Sequence, residues 1–374
     1  MFADRRSRLL LVVFPLASWL LLLWLFWPRV PHDLPIAVLD ADGSALSRQL
    51  TRAIDATPSI RVAYAVTDQG GGRDLVLRGQ AYAVLAIPAG LEASVLRGDP
   101  DPVQLFYNTQ LLTAGNLVAR DARLAAGTLS VTLAAGRRAL QGENTRLAVA
   151  AANPIGTELH PLFNPSMDYA RFLGLTLVAA LLHIFAVVAG ADACGRELRE
   201  RTAGAWFEAS GRSAFVALAG KLAPYALWFA ALGSAVLLTS MALLRIEMAG
   251  SVVLLLLGWC VFGIASLGLG AFLIGCTANL RMATSIASLI ISPALAFSGL
   301  TFPAWSMPVM IKLWSALLPL THYLTLHVQQ VSMGAGAANA WLQMLPLLAF
   351  AVLPFVLLPR WQRLLSQPAY WGRA

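Results

Sequence analysis

Long apolar segments recur through this chain, and they constrain its fold more than any other feature. The first, Leu9–Trp27, contains no charged residue and is about as long as the roughly 20 residues that a helix needs to cross a bilayer. Hydrophobic residues make up 58% of the chain and charged residues only 12%, far from the composition of a soluble enzyme. The sequence therefore predicts an α-helical integral membrane protein.

The residues around the first apolar segment indicate its orientation. Arg5, Arg6 and Arg8 precede it, and because cytoplasmic flanks carry the excess of arginine and lysine, the N terminus is predicted to be cytoplasmic. A cleaved signal peptide is the alternative, but its apolar core would be shorter and small residues would follow it. The tryptophan and phenylalanine residues at the end of the segment are typical of a retained membrane helix. Residues 1–28 are thus predicted to form the cytoplasmic N terminus and the first transmembrane helix.

Hydropathy drops to that of a soluble domain over residues 29–168. Four short β-type runs alternate there with helical patterns: Ile36–Asp40, Ile60–Val66, Tyr82–Ile87 and Val103–Asn108. Gly70–Gly72 predicts a flexible turn, and the Ala/Leu/Arg-rich stretch Thr109–Ala152 predicts a long helix that returns to the membrane. Alternating strands and helices indicate a small α/β domain. Its acidic residues lie at the ends of elements, where caps and turns use them, and no catalytic set is present.

The distribution of charge separates this region from the rest of the chain. The formal net charge is +8, with 27 basic and 19 acidic residues. Val30–Asp168 holds 11 of the basic and 13 of the acidic residues, which leaves 16 basic and 6 acidic residues elsewhere. Those charges lie at the ends of apolar segments, as the positive-inside rule requires, so nucleic acid is not an expected partner. Cys194, Cys260 and Cys276 lie in or beside apolar segments and lack the spacing of a metal site.

Five further apolar segments are predicted to be transmembrane helices: Tyr169–Gly190, Phe215–Leu244, Val252–Cys276, Ser285–Leu300 and Trp341–Leu358. Between the last two, Gly299, Pro303 and Pro308 interrupt an apolar stretch that cannot be one continuous helix. Residues 299–320 are predicted to form a re-entrant or interfacial hairpin on the outer side. Arginines after the last segment place the C terminus in the cytoplasm. The predicted fold is an α-helical membrane protein of six transmembrane helices, five of them in residues 169–374, with an extracytoplasmic α/β domain inserted after the first.

Two of these segments contain small or helix-breaking residues that affect how their helices pack or bend. Val252–Cys276 contains five glycines, which favour close packing against neighbouring helices. Ser285–Leu300 contains Pro293, which is predicted to kink it. His183 is the ionisable residue nearest the middle of a predicted span, and a hydrogen bond to a neighbouring helix is its expected role. His322 and His327 are interpreted as interfacial polar residues.

A short charged segment, residues 196–211, lies between the second and third predicted membrane helices. Glu197 and Arg201 stand four residues apart with the acid first, the favourable order for a helical ion pair. Other residues recur at helical spacing on another face: Leu198, Thr202, Ala205, Trp206 and Ala209. This pattern predicts one amphipathic helix at the membrane interface, ended by Gly211. A solvated loop that happens to be helical is the alternative.

Six residues of this segment approximate an R-E-x-E-x-G-T-x-E-x-L-like run: Arg199, Glu200, Arg201, Thr202, Gly204 and Glu208. In this respect the segment resembles the cytoplasmic coupling segment of type-2 ABC transporter permeases. Thr202 precedes Gly204 instead of following it, and Trp206 and Phe207 stand where leucine is commoner. The order of the predicted helices and the Ser-Gly…Pro…Met-Pro hairpin resemble the same family from Tyr169 to the end of the chain.

The resemblance implies a permease subunit of an ATP-driven exporter. The inserted α/β domain resembles that of the bacterial subgroup that works with a periplasmic adaptor, which implies an inner-membrane location. The implied partners are a cytoplasmic ABC ATPase subunit, a second permease in a homodimer or heterodimer, the periplasmic adaptor and the lipid membrane. ATP is used by the ATPase subunit; Gly220 and Lys221 have no glycine five residues before them, so this chain has no phosphate-binding loop. It is therefore expected to be no enzyme, to bind no cofactor or metal and to have no catalytic residues.

In this family the coupling segment contacts the ATPase, and the resemblance assigns that contact to six residues: Glu197, Glu200, Arg201, Trp206, Phe207 and Glu208. Trp206 and Phe207 are the expected aromatic anchors, because interface energy concentrates in buried aromatic side chains. The glutamates would contribute orientation and association rate more than affinity. The aromatic, uncharged apolar segments favour an amphipathic substrate, either drug-like or lipid-like.

Two other functions stay open. An ion-coupled secondary transporter would carry ionisable residues within its spans, and the predicted spans contain no Asp or Glu in their middle. A membrane sensor or scaffold, whose α/β domain binds a ligand or a partner, would carry a cytoplasmic output domain, whereas the predicted inner loops and tail are short. A membrane-embedded enzyme would require clustered His, Asp or Glu near a membrane face, and no such cluster is present in the sequence.

Overall fold

The computed structural model describes most of the chain, namely residues 4–97, 101–140 and 162–372. The chain divides into two compact units. A helical unit comprises Met1–Arg29 and Leu162–Ala374, and an α/β unit comprises Val30–Pro161. Each unit has a hydrophobic core of its own.

The helical unit begins with Arg5–Arg8 and continues as α1 (Leu9–Leu25), whose first part, Leu9–Val13, is a π-helix. The apolar segment predicted as the first span is therefore helical over most of its length. The indole N–H of Trp19 donates a hydrogen bond of 2.8 Å to the hydroxyl of Ser240. This bond attaches α1 to a helix that comes much later in the chain.

The α/β unit is built on one four-stranded sheet. Its strands occupy the four runs predicted as strands: β1 (Leu34–Asp40), β2 (Ile60–Ala65), β3 (Ala83–Ile87) and β4 (Gln104–Tyr107). The strand order is β2-β1-β3-β4; β1 is parallel to β2 and β3, while β4 is antiparallel to β3. The central parallel strands β1 and β3 are continuous apolar runs, as is typical of strands that are covered on both faces. Ile36, Ala37 and Ala83 in these strands are fully buried.

In the described part of this unit, four helices accompany the sheet: α2 (Ala45–Asp55), α3 (Gln69–Leu77), α4 (Leu91–Arg97) and α5 (Leu112–Leu140). The Ser44 hydroxyl accepts a hydrogen bond of 3.0 Å from the N–H of Ser47 and so caps the start of α2. α5 corresponds to the predicted long helix Thr109–Ala152 as far as Leu140; the remainder of that prediction lies outside the described residues.

The flexible turn predicted at Gly70–Gly72 is wrong, because these glycines form the first turn of α3. The carboxylate of Asp68 accepts a hydrogen bond of 2.8 Å from the N–H of Gly71 and caps the helix. A Cβ at Gly72 would lie 2.9 Å from a methyl group of Val84 on β3. The absence of a side chain there lets α3 approach the sheet closely.

The helices of the helical unit that follow the α/β unit are α6 (Ala170–Arg199), α7 (Ala203–Ala209), α8 (Ala214–Leu243), α9 (Val252–Thr277), α10 (Leu280–Ile291), α11 (Ala294–Phe297), α12 (Val309–Ala316), α13 (Pro319–Met333) and α14 (Ala337–Ser366). Among the described residues, 4 helices are long and apolar enough to cross a membrane, namely α6, α8, α9 and α14. The number rises to 5 if α12 and α13, which are bent by 85°, count as one span. α1 and α10 are shorter apolar helices, so six spans remain a prediction.

The segment predicted as the fifth span is not one helix. α10 ends at Ile291, and α11 begins at Ala294 after Pro293. Pro293 therefore ends a helix, where a kink was predicted, because proline donates no N–H and clashes with the preceding turn. The helical part of this segment also begins at Leu280, earlier than predicted.

The glycines of α9 bring neighbouring helices into close contact, as predicted. A Cβ at Gly270 would collide with the backbone carbonyl of Val187 on α6, and a Cβ at Gly268 would lie 2.9 Å from the carbonyl of Phe350 on α14. A Cβ at Gly275 would lie 2.8 Å from the indole nitrogen of Trp361. Backbone and aromatic rings thus occupy the space that side chains would fill.

An ion pair links the two points at which the chain leaves and re-enters the helical unit. Asp168, whose side chain is only 2% exposed, accepts hydrogen bonds of 2.8 Å and 2.5 Å from the guanidinium of Arg29. The carbonyl of Arg29 also accepts a hydrogen bond of 2.7 Å from the N–H of Tyr169. The start of α6 is therefore fixed to the end of the segment that contains α1.

Candidate coupling site

The single helix predicted over residues 196–211, the coupling segment, is wrong: the structure has two helices there. α6 extends through Arg199, and α7 is a separate helix. Between them Arg201 adopts a left-handed conformation with φ 62°, and the N–H of Thr202 donates to the carbonyl of Glu197 at 2.9 Å. These are the features of a Schellman motif, which ends a helix. The sequence conceals the motif because its left-handed position, usually glycine, is an arginine here.

A second Schellman motif ends α7. Gly211 is left-handed with φ 63°, and the N–H of Arg212 donates to the carbonyl of Phe207 at 3.0 Å. The helix end predicted at Gly211 is thus confirmed. Ser213 then caps α8 by accepting a hydrogen bond from the N–H of Val216. α7 is consequently a short separate helix between two long apolar helices, bounded by the Schellman motif that ends α6 and by the one that ends α7 itself.

Glu197 does not pair with Arg201, contrary to the prediction, because Arg201 lies beyond the end of α6. Its carboxylate forms an ion pair with Lys221 on α8 and accepts a hydrogen bond from the hydroxyl of Thr202. The Lys221 ammonium also lies 5.6 Å from the ring centroid of Trp206, within the range of a cation–π interaction. Lys221 was missed because a pattern along one helix does not show a partner on another. The pair links α6 to α8 beside α7.

The two aromatic residues of α7 face their own chain. Phe207 is only 3% exposed and belongs to the hydrophobic core that also contains Trp361 and Leu364 of α14. Trp206 is half-buried; its ring lies edge-on to Trp361 at 6.3 Å, and its indole N–H donates to the carbonyl of Ala217 at 3.3 Å. Phe207 therefore fixes α7 to the helical unit, and it is not free for burial in a partner.

Charged residues of both signs form the exposed surface around α7. Glu200, Arg201, Glu208 and Arg212 are exposed. Glu208 and Arg212 approach to 3.7 Å, an exposed pair of the kind that contributes little to stability. These side chains are available to contact another molecule.

The hairpin predicted at 299–320 is a loop followed by two helices. Gly299 is left-handed with φ 83°, Pro303 precedes a short 3₁₀ turn, and Pro308 immediately precedes α12. Each of the three residues therefore lies at a break in helical structure. α13, which begins at the end of the predicted hairpin, packs into the bundle, where the ring of Tyr323 stacks on Phe262 of α9 with centroids 4.5 Å apart. With their 85° bend, α12 and α13 form a broken span or a re-entrant loop, so a re-entrant hairpin stays a prediction.

The polar side chains buried inside the helical unit include His183, Tyr323 and His327. His183 lies 2.8 Å from the hydroxyl of Ser266 on α9, with a hydrogen bond between Nδ1 and Oγ, which confirms the contact predicted for it. Tyr323 and His327, one helical turn apart on α13, are fully buried. Within the part of the chain that the structure describes, neither the Tyr323 hydroxyl nor either nitrogen of His327 has a hydrogen-bond partner. His327 is therefore enclosed by the helical unit itself, and the interfacial position expected for it stays a prediction.

The acidic residues of the α/β unit have structural roles. Asp40 accepts a hydrogen bond of 2.7 Å from the Ser47 hydroxyl, and Asp42 accepts one of 2.9 Å from the N–H of Gly90. A hydrogen bond from the Ser44 side chain, together with backbone N–H groups at the start of α4, lowers the pKa of Asp42 below its ordinary value. These carboxylates hold turns, as their positions at element ends predicted.

The described residues include no group of three or more His, Cys, Asp or Glu side chains that could hold a metal ion. The helical unit combines long apolar helices, a separate short helix between two of them and charge on the exposed side of that short helix. These features define a multi-pass helical membrane protein.

The chain belongs to the family described as ABC-2 family transporter protein, whose family model matches residues 5–358. The resemblance to type-2 ABC permeases is thus confirmed over nearly the whole chain. The family comprises the membrane subunits of ABC transporters, and it implies a separate ATPase subunit as partner. Comparisons with curated proteins and with solved structures found no match.

Proposed function

We propose that this chain is the permease of an ATP-driven exporter in the bacterial inner membrane, with α7 as the element that its ATPase subunit moves. The observation that carries the proposal is the attachment of α7. The Schellman motif at its C-terminal end and the burial of Phe207 hold this short helix against the helical unit, and a firmly held, exposed helix is what a cytoplasmic partner needs in order to pass force to membrane helices. Family membership supports the transporter class.

The ion pair between Glu197 and Lys221 suggests how movement of α7 would spread. Because the pair joins α6 to α8, a displacement of α7 would move both long helices together and would not bend one loop alone. Charged side chains on the exposed face, Glu208 among them, would orient the ATPase during association. The Glu197 side chain is partly buried between helices, so its role is internal to the permease.

The direction of transport and the substrate class are further parts of the proposal. An α/β unit inserted directly after the first apolar helix is the organisation of export permeases in the family that the sequence resembles. The outer surface of the long helices is apolar and aromatic, which favours an amphipathic drug-like or lipid-like substrate taken from the cytoplasm or the inner leaflet. A second permease copy and a periplasmic adaptor complete the proposed assembly, and both termini are proposed to be cytoplasmic.

The coupling role can be tested with a charge reversal on α7. The ATPase subunit is first identified as the P-loop protein that co-purifies with the full chain from its native membrane, and it is then titrated against the purified permease in phospholipid nanodiscs. Glu208→Arg should weaken binding about tenfold at low salt, equivalent to about 1.4 kcal/mol, with a smaller effect at high salt. Glu247→Arg, an exposed reversal in the turn between α8 and α9, serves as the control. Equal affinity for both variants and the native chain would refute the assignment.

The proposed orientation has an independent test. In a background without the native cysteines, single cysteines are introduced at Leu96, which is 69% exposed, and at the exposed Ser366 of α14. A membrane-impermeant thiol reagent added to intact cells with a permeabilised outer membrane should label the first position and spare the second. Labelling of both positions from outside would contradict the orientation.

A further inference from the structure

The last part of α14, Leu358–Ser366, is amphipathic. Trp361, Leu364 and Leu365 are buried at the three-to-four spacing of one helical face, while Arg363, on the other face, is exposed. The buried face enters the same core as Phe207 of α7. The end of α14 therefore lies directly against the coupling segment.

The residues after α14 fold back onto α7. The indole N–H of Trp371 donates to the carbonyl of Leu364 at 2.9 Å, which fixes the ring against the end of α14. The N–H of Gly372 donates to the carbonyl of Leu198 at 2.8 Å, so the chain beyond α14 joins the helix end that precedes α7. A third bond, from the Gln362 side chain to the carbonyl of Arg212 at 3.3 Å, reaches the residue that follows α7.

Gly204 marks the closest approach of the two segments. A Cβ at this position would lie 2.6 Å from the edge of the Trp371 ring, closer than any real contact allows. Gly204 lies in α7 with ordinary helical geometry, where alanine is otherwise the better helix former by about 1 kcal/mol. The glycine is therefore explained by the space that Trp371 occupies.

The same C-terminal segment also holds α9. The guanidinium of Arg360 donates hydrogen bonds of 2.5 Å to the carbonyls of Gly275 and Cys276. These carbonyls lie in the last turn of α9, where they lack partners within the helix. A cation at a helix C terminus is also favoured by the helix dipole. One segment thus contacts the ends of α6, α7 and α9.

We propose that residues 358–372, the C-terminal brace, form with α7 a composite docking surface for the ATPase subunit. The inference rests on the proposed coupling function and extends its site to a part of the chain beyond α7. This composite surface carries exposed charges of both signs: Arg363 on the brace, and Arg201, Arg212, Glu200 and Glu208 beside or on α7. Opposite charge steers association and suppresses wrong partners, so the surface fits a face of the ATPase that places acidic side chains opposite these arginines and a basic side chain opposite Glu208. The brace would also keep α7 in place while force passes to α6 and α9.

A mutant cycle between Gly204 and Trp371 tests the brace. Gly204→Ala should displace the ring and lower ATP-driven transport by the reconstituted permease and ATPase about fivefold, although alanine favours the helix itself. Trp371→Ala should have a similar effect, and the double variant should match Trp371→Ala alone, because the added methyl group then has room. Gly220→Ala is the matched control, since nothing lies within 4 Å of a Cβ built there; it should leave transport unchanged.

A surface variant tests the docking role without disturbing the packing. Arg363→Glu should weaken binding of the purified ATPase about tenfold at low salt, as measured in the nanodisc titration, while Arg245→Glu in the turn between α8 and α9 should not. If Arg363→Glu binds the ATPase with native affinity and Gly204→Ala transports at the native rate, the brace proposal is overturned. If Glu208→Arg still weakens binding in that case, the coupling role of α7 stands. Native binding by Glu208→Arg as well would instead refute the proposed function.

Discussion

Replacement of Phe207 by alanine should destabilise the permease itself. The side chain is 3% exposed and packs in the core that contains Trp361, and truncation of a buried phenylalanine costs about 3–5 kcal/mol. We expect a loss near 3 kcal/mol, because α7 lies at the end of the bundle and can settle into part of the cavity. The Arg212 guanidinium lies 5.9 Å from the ring centroid and would lose a cation–π contact worth about 0.5–1 kcal/mol at an exposed site. The expected total loss in the free energy of unfolding includes this contribution.

The free energy of unfolding can be measured by titration with sodium dodecyl sulfate in mixed micelles, with tryptophan fluorescence as the signal. Phe207→Leu keeps most of the volume and should cost about 1 kcal/mol. Glu208→Ala, the adjacent residue on the exposed face, should stay within about 0.5 kcal/mol of the native chain. A loss below 1 kcal/mol for Phe207→Ala, with ATPase affinity reduced tenfold or more, would refute the reasoning, since the ring would then be buried in the partner.

Three further predictions concern contacts inside the helical unit and use the same unfolding assay. Asp168→Asn should lower the free energy of unfolding by about 1.5–2 kcal/mol, toward the low end of the range for hydrogen bonds to charged groups. The loss is limited because Arg29 is 36% exposed and can bind water instead. Unchanged stability would mean that the ion pair between Arg29 and Asp168 contributes nothing. Tyr323→Phe should leave stability unchanged or raise it by up to about 1 kcal/mol, because it removes a buried hydroxyl that has no hydrogen-bond partner among the described residues; a clear loss would reveal a partner. Gly233→Ala should cost at least about 1–3 kcal/mol, since the Cβ would collide with the Trp259 indole, and Trp259→Phe should restore part of that loss.

The coupling site shows where local patterns stop being informative. The end of α7 at Gly211 was predictable, because glycine accepts the left-handed conformation that a Schellman motif requires. The break at Arg201 was not, because arginine pays a steric penalty in that conformation and gives no signal that a helix ends there. The partner of Glu197 could not be found either, because Lys221 comes 24 positions later and meets it only when α6 packs beside α8.

The hairpin and the buried polar residues also show which features local sequence predicts and which depend on packing. Gly299, Pro303 and Pro308 mark breaks in helical structure, and their effect on the backbone is local. The burial of His327 is not local. The residues before and after it do not reveal which face of α13 lies against α9, so the sequence did not predict that His327 is buried.

The sequence by itself determined the properties that depend on short segments of chain. Long apolar runs specify membrane helices, short apolar runs between helical patterns specify the strands of the α/β unit, and the spacing of glycine and proline specifies where many helices end. Tertiary structure alone decided which helix faces pack against one another. The enclosure of Phe207, the fit of Gly204 against Trp371 and the capping of α9 by Arg360 join residues that are distant in the chain. Such contacts depend on the packing of several helices at once, and no periodicity within one helix encodes them.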